Sequence, residues 1–342
     1  MNRDWLKKLF SKENISSIVG GALLLYFLFP ALQWLVLDAN WFGSTSADCK
    51  KEGACWVFIF EQFGSFVFGF YPEEHRWRIF LVVAFWVVSF FSLRYVKRSL
   101  KPFFLFAFCL ILPILSWKLL IGFSGMEKVE TSQWGGVFLT LLVSLTGIIV
   151  SLPLGIILAL GRQSKLPVLS LFSTMFIEFW RGIPLITVLF MSSVMLPIFL
   201  PEHLIVDKLL RALFAVALFS SAYMAEVIRG GLQAIPRGQY EAGYAIGLSY
   251  AQNMTFIVVP QAIKHVIPGI VNSFIALFKD TTLVSIIGMF DVLGIVQAAT
   301  THPDWLGYTV EAYLFAGVFY WICCYSMSKY SLSIERKLSR GY

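Results

Sequence analysis

Lys279 and Asp280 stand side by side inside a long apolar stretch that begins at Pro268, with Asn272, Ser273, Thr281 and Thr282 close by. Charges deep in an apolar segment need a partner or an aqueous cavity. Adjacent residues on a helix do not face one another, so the two are not automatically one ion pair. They can line a polar path, or pair across a subunit interface, and the residues leave both open. Glu178 and Arg181, within EFWRGIP, are three apart. That spacing puts them on one helix face. They read either as a brace or gate at the mouth of such a path, or as an intrahelical ion pair at a lipid interface. Gly182 and Pro184 follow at once, and both permit a bend.

Other chemistries are poorly supplied. His75, His203, His265 and His302 are scattered, and the five Cys make no metal-ligand pattern. No metal site is expected, and no nucleophile, acid–base pair or catalytic residue converges. A G-x-x-x-x-G-K-[ST] loop is absent from the sequence, so the chain lacks the usual cradle for ATP phosphates. Cys49 and Cys55 lie in one loop. In an oxidising compartment they can close it as a disulfide; otherwise they are two free thiols. Cys109, Cys323 and Cys324 fall in apolar stretches and read as small core residues.

The elements that must carry these residues follow from composition. Of 342 residues, 58% are hydrophobic and only 14% charged, with 33 Phe and 11 Trp. Mean hydropathy is +0.75. Soluble domains carry roughly a quarter charged residues, so a water-soluble globule, a disordered chain and a collagen-like chain are excluded. The chain reads as an all-α polytopic membrane protein. Apolar runs long enough to cross a bilayer fall near 17–37, 79–96, 102–122, 135–160, 176–200, 209–228, 267–290 and 309–328, which makes about eight transmembrane helices. Residues 56–72 are aromatic but interrupted, and read as interfacial rather than spanning.

The net charge of +7 does not point to nucleic acid, because 17 of the 27 Lys and Arg cluster between the apolar runs. They are Arg3, Lys7, Lys8, Lys12, Arg94, Lys97, Arg98, Lys101, Arg162, Lys165, Arg229, Arg237, Lys264, Lys329, Arg336, Lys337 and Arg340. With eight spans they share one side, so both termini are expected to be cytoplasmic. Composition changes near residue 130. We expect an accessory region, 1–130, with three spans and an outer loop at about 38–78 that holds the Cys pair. A working core at 131–330 carries Gly, Pro and polar residues beside its spans, and 331–342 is a tail.

Within that core, 225–265 is too long and too structured for a simple membrane hairpin. Glu241, Ala242, Ala245 and Ile246 suit a short helix, Gly247 breaks it, and Ser249 starts another. Pro260 is expected to end the apolar patch Ile257–Val259. Two short helices on a membrane surface need a partner to cover their apolar face.

Glu241-Ala242-Gly243, then Gly247, then Ile257-Val258-Val259-Pro260 resembles the EAA motif of ABC-importer permeases. The segments FIEFWRGIPLI (176–186), SAYMAEVIRGGLQAIPRGQYEAGYAIGLS (221–249) and PQAIKHVIPGIVNSFIALFKDTTLVSIIG (260–288) resemble the polar amino-acid branch of that family. The extra N-terminal spans resemble one subunit of general amino-acid, or glutamate/glutamine/aspartate/asparagine, importers. The resemblance covers about 132–330. It implies a five-helix type I importer core in a bacterial inner membrane, forming half of a translocation path for amino acids. It implies a second, homologous permease, as a heterodimer in preference to a homodimer, two copies of a cytoplasmic ATPase that holds ATP and Mg2+, and a periplasmic binding protein. This chain itself would bind no cofactor and catalyse no reaction. Glu241, Ala242, Gly243, Gly247, Ile257, Val259 and Pro260 would couple to the ATPase. Lys279, Asp280, Asn272, Thr281 and Thr282 would line the path. The sequence departs from the motif at Gly243, where Ala is usual, and at Val259, where Leu is usual. Gly243 should weaken its helix by roughly 0.5–1 kcal/mol. The rival functions are a secondary amino-acid transporter, which should show matched halves with broken helices, and a membrane-embedded enzyme.

Overall fold

The computed structural model describes residues 12–49, 52–93, 95–97, 100, 103–104, 108, 111–123, 125–201, 204 and 206–339. The orientation-setting residues Arg3, Lys7, Lys8, Arg94, Arg98, Lys101 and Arg340 lie outside the described residues, as do Cys109 and other residues in the first half of the third expected span. Among the described residues there are helices and isolated bridges but no strands. Six helices are long and apolar enough to cross a membrane, or seven if one bent pair counts as a single span. The expected eight included the run at 102–122, within which the described residues hold the ten-residue helix Leu112–Ile121.

The chain forms two compact units. One comprises 1–63 with 297–315, and the other 64–296 with 316–342. The division expected at residue 130 falls inside the second.

In the first unit, helix α1 (Lys12–Leu32) continues through a wide turn, Gln33–Leu37. Leu23, Leu25, Tyr26, Phe27 and Leu37 are exposed, as a lipid-facing surface would require. A disulfide joins Cys49 and Cys55, whose Cα atoms are 5.6 Å apart. Around it the chain is tied by its backbone: Trp56 N donates to Asn40 O at 2.9 Å, and Asn40 N to Ala54 O at 2.8 Å. The buried Glu311 carboxylate accepts from Cys55 N at 3.0 Å, and Tyr308 OH donates to Ser46 O at 3.2 Å. Phe58 packs on Trp305 and Tyr308. Helix α2 (Trp56–Phe68) is 13 residues, too short to span, in keeping with its interrupted sequence.

The second unit holds α3 (Trp77–Ser92), α4 (Leu112–Ile121), α5 (Gly136–Arg162) and α6 (Pro167–Gly182). After α6 come α7 (Leu185–Phe190) and α8 (Leu196–Phe199), joined by a wide turn, and then α9 (Lys208–Gln233). Helix α9 is central and packs on α5, α6, α7 and, beyond it, on the helix that starts at Val259. Its buried face is rich in small residues, among them Ala212, Ala215, Ala217, Ala222, Ala225 and Gly231. Small side chains let membrane helices approach closely enough for dispersion to hold them. Asp207 starts α9 by accepting from Leu209 N at 2.8 Å and Leu210 N at 3.3 Å, and also accepts from Thr131 OH at 2.6 Å. One apolar core lies where α5 and α9 begin, around Trp134, Leu139, Leu209 and Val216. A second lies where they end, around Leu158, Ile177, Met224, Ile228 and Leu232.

The expected bend at RGIP is present: α6 and the α7–α8 run meet at 100° across Ile183 and Pro184. The seventh expected span is corrected. Helix α10 (Arg237–Ala245) and α11 (Tyr250–Asn253) are followed by a π turn, Met254–Val258, and α12 (Val259–Asp280). A 3-10 segment, Thr281–Ile287, then carries the chain toward α13 (Val292–Thr300) and α14 (Thr309–Ser339). Pro260 therefore does not end a helix. It sits in the first turn of α12, where a missing N–H costs least. The expected tail is, as far as Ser339, the end of α14. Asp291, fully buried, caps α13 by accepting from Gly294 N at 2.9 Å and takes the Tyr320 hydroxyl at 2.7 Å.

Candidate functional site: an elbow and an ion cluster at one end of the bundle

Three local signals build the elbow after α9. Pro236 starts α10 with its fixed φ. Gly247 closes α10 in a left-handed conformation, φ +81°. There Leu248 N donates to Gly243 O at 3.1 Å and Gly247 N to Tyr244 O at 2.9 Å, a Schellman arrangement that satisfies the last carbonyls. Ser249 caps α11 reciprocally with Gln252. A Cβ at Gly247 would meet nothing within 4 Å, so a larger residue there costs backbone strain and not a clash.

One face of the elbow is anchored. Tyr240 OH donates to Leu232 O at 3.2 Å, and burial pushes its phenol pKa up, which keeps the proton for that bond. Asn253 Nδ2 donates to Tyr240 O at 2.9 Å, and Gln261 Nε2 to Gln239 Oε1 at 3.0 Å. Met254, Val258 and Ala262 join the second core. The buried anchor is thus Val258, with Ile257 and Val259 only half-buried. The α-helical period, and not the alternation implied by I-x-L, sets which side chain points inward. The other face is open: Glu241, Ala242, Tyr244, Ile246, Tyr250 and Phe256 are exposed, Ile246 by 73%.

Beside the elbow, Glu226 on α9 collects three guanidinium groups. Arg162 Nη1, from the end of α5, lies 2.6 Å from Oε1. Arg229 reaches Oε2 through Nη2 at 2.9 Å, and Arg181 Nη1, from the end of α6, lies at 3.5 Å. Arg162 Nη2 also pairs with Glu178 at 2.8 Å. Glu178 and Arg181 therefore pair with α5 and α9, respectively, and not with each other as an intrahelical pair. Glu226 side chain is 17% exposed, and Glu178 side chain 56%. The inner pair carries more of the electrostatic interaction, because water screens the outer one. Glu226 and Arg162 were missed from the sequence. Their separation of 64 positions gives no local cue, although a carboxylate within an apolar run at 226 is itself a signal.

The expected path residues differ in exposure. Lys279 and Asp280 end the α-helix, where the chain tightens to 3-10 geometry at Thr281 but continues the same candidate span to Ile287. Lys279 and Asn272 are exposed, Asp280 is half-buried, and Thr281 is buried with its hydroxyl on Phe278 O at 2.8 Å. Thr282 OH donates to Lys279 O at 3.0 Å. Asn272, Ala276 and Lys279 are exposed at helical spacing and share a face of α12. Among the described residues no group of His, Cys, Asp or Glu could hold a metal ion.

Residues 151–340 match the family described as binding-protein-dependent transport system inner membrane component. The chain belongs to this permease family. It is 51% identical over 98% of its length, and 93% of the relative's, to the inner membrane amino-acid ABC transporter permease protein YhdY of Escherichia coli. It is 37% identical, over 99% of its own length and 94% of the relative's, to the glutamate/glutamine/aspartate/asparagine transport system permease protein BztC of Rhodobacter capsulatus. Among solved structures, an amino acid ABC transporter with histidines aligns at 30% identity and TM-score 0.51, over 59% of this chain and 92% of that one. The permease fold expected from the EAA resemblance is therefore the observed one.

Proposed function

We propose that this permease forms half of the translocation path of an ATP-driven amino-acid importer in a bacterial inner membrane, and that residues 237–261 couple it to the ATPase. The observation that carries the coupling is the elbow's two-faced build. Its inner face is fixed to α9 and α12, while Glu241, Tyr244, Ile246 and Tyr250 form an open, partly aromatic surface. Such a surface suits a protein partner. The relatives' names support amino acids as the substrate class. The partners are a homologous second permease, two ATPase copies that hold ATP and Mg2+, and a binding protein on the opposite side. This chain holds no nucleotide or metal of its own.

Transport proceeds by alternating access. Closure of the ATPase dimer shifts α10, and the fixed contacts at Tyr240, Asn253 and Gln261 pass that shift to α9 and α12. Arg162, Glu178, Arg181 and Glu226 bind the ends of α5, α6 and α9 together, beside the 100° bend, and brace the inner mouth. Asn272 and Lys279 offer an amide and an ammonium on one face of α12, suited to a substrate carboxylate.

Gly247→Asp and Gly247→Arg test the coupling. Each forces a side chain into left-handed backbone geometry outside the spans. Both variants should insert in the membrane and lose ATPase co-purification, or keep it and lose ATP-driven uptake. Normal pull-down together with normal uptake for both variants would refute the coupling role.

A further inference from the structure

Gly243 occupies the third position of the EAA element, where the pattern carries Ala. Its own surroundings explain the exchange. A Cβ built on Gly243 would lie 2.2 Å from Asn253 Oδ1, 2.4 Å from Cγ and 2.6 Å from Nδ2. No real Cβ tolerates such distances, and the obstructing amide has no room to retreat. Asn253 is 1% exposed, and its Nδ2 is committed to Tyr240 O at 2.9 Å. Its Oδ1 is buried without a hydrogen-bond partner among the described residues. Native folds rarely leave such an atom unpaired, so the amide's other half must justify its presence.

What that half does follows from the chain path. Between α10 and α11 lie Ile246, Gly247 and Leu248. Gly247 has open space around it and a conformation that only glycine adopts easily, which makes it the natural joint of the elbow. A push on α10 would be absorbed there unless something spans the joint. Asn253 does: it leaves α11, passes against the Gly243 backbone and bonds the carbonyl of Tyr240 in α10.

We propose that Asn253 is a positioning residue for ATPase coupling, a brace across the Gly247 joint, and that Gly243 is glycine because the Asn253 amide fills the volume of the third EAA side chain. The proposal rests on the reading that residues 237–261 dock the ATPase. It differs from that reading by assigning the transmission of motion to a pair of buried residues that touch no partner.

The test is a double-mutant cycle on the whole importer, reconstituted with its ATPase and binding protein in liposomes. The variants are Gly243→Ala, Asn253→Ala and both together. The readouts are ATPase co-purification, uptake of an equimolar mixture of radiolabelled L-amino acids per ATP hydrolysed, and thermal unfolding of the purified complex. Asn253→Ala should keep the ATPase bound and lower uptake per ATP by about fivefold, a modest interaction for residues in contact. Gly243→Ala in the native background should be worse, because the methyl drives the amide out. In the Asn253→Ala background the same methyl enters vacated space. There it should add no further loss in uptake per ATP and no further drop in unfolding temperature. This non-additivity is the signature of the proposal.

Independent, additive losses in the cycle would overturn the volume exchange. Unchanged uptake per ATP in Asn253→Ala, with only less assembled complex, would reduce Asn253 to a structural role and overturn the brace. If the ATPase docks elsewhere, none of the variants alters uptake per ATP, and non-additive unfolding temperatures still appear. That pattern rejects the docking reading, and with it the coupling role of the brace, while leaving the Gly243–Asn253 packing intact.

Discussion

Glu226 concentrates the electrostatics of this end of the bundle in one carboxylate. Arg229 grips it through Nε and Nη2 at 2.9–3.1 Å, and Arg162 adds the shortest contact, 2.6 Å. Glu226→Gln removes the charge and leaves three guanidinium groups around a neutral amide. We expect a loss of about 1–3 kcal/mol in stability, the range for charge-assisted hydrogen bonds that lose their charge. Glu178→Gln, more than half exposed, should cost under about 1 kcal/mol. Thermal unfolding of the two variants in one detergent ranks them; an equal effect would show that burial does not separate the pairs. Asp48 gives a pH signature in the disulfide loop. The backbone N–H of Ser44 and of Thr45, with the Thr45 hydroxyl, hold its carboxyl below the usual carboxylate range. The ionised cap is fully present above the ordinary value of 3.8 and is lost as pH falls through the lower folded value. Amide exchange at Ser44 and Thr45 should therefore quicken only in stronger acid than Asp48 would need in an unfolded chain.

Helices set what these residues can reach. Helix α6 ends at Gly182 and α7 restarts at Leu185 after a 100° bend, so Arg181 stands in the last turn of α6, where it reaches Glu226 of α9. Pro184 starts the second limb, having no N–H to lose there. Helix α13 depends on the buried Asp291 cap. Asp291→Ala removes bonds to Gly294 N and the Tyr320 hydroxyl, and should cost about 1–2 kcal/mol, the upper range for loss of an N-cap. Tyr320→Phe, which spares the cap, should cost less, and the order of the two unfolding temperatures checks it. The disulfide ties a loop on the first unit, far in sequence from the elbow. Cys49→Ser should lower uptake by less than Gly247→Asp does, with non-reducing peptide mass spectrometry reporting the bond itself.

At the scale of the whole molecule the prediction is one of sidedness. The positive-inside rule predicts that the elbow and both termini lie on the cytoplasmic side. Ser249→Cys should react with an impermeant maleimide only from that side, and labelling of sealed cells from outside would reverse the topology. Lys279→Ala separates the two readings of the α12 face. A path contact changes the ranking of acidic, neutral and basic substrates. A contact with the second permease lowers uptake of all of them equally and weakens its co-purification.

The helical class, the membrane setting, the elbow and the bend at RGIP were legible in the chain, because each rests on local cues: apolar runs of span length, Gly247 as a helix stop, Ser249 as a cap, Gly182 and Pro184 as breakers. Lys279 and Asp280 show where local cues end. Their apolar neighbours suggested one continuous helix, yet the α-helix stops at Asp280 and passes into 3-10 geometry, a boundary the apolar pattern did not mark. Pro260 likewise read as a stop, and became the first turn of α12 once the π turn before it carried the helix through. The Arg162–Glu226 pair, the Asp291–Tyr320 bond and the fit of Gly243 against Asn253 depend on which helices lie side by side, and nothing in a local window carries that. Gly243 looked like a weak helix former when read along the chain. Packed in three dimensions it is the space in which Asn253 sits, because side-chain volume is decided by neighbours and not by sequence order.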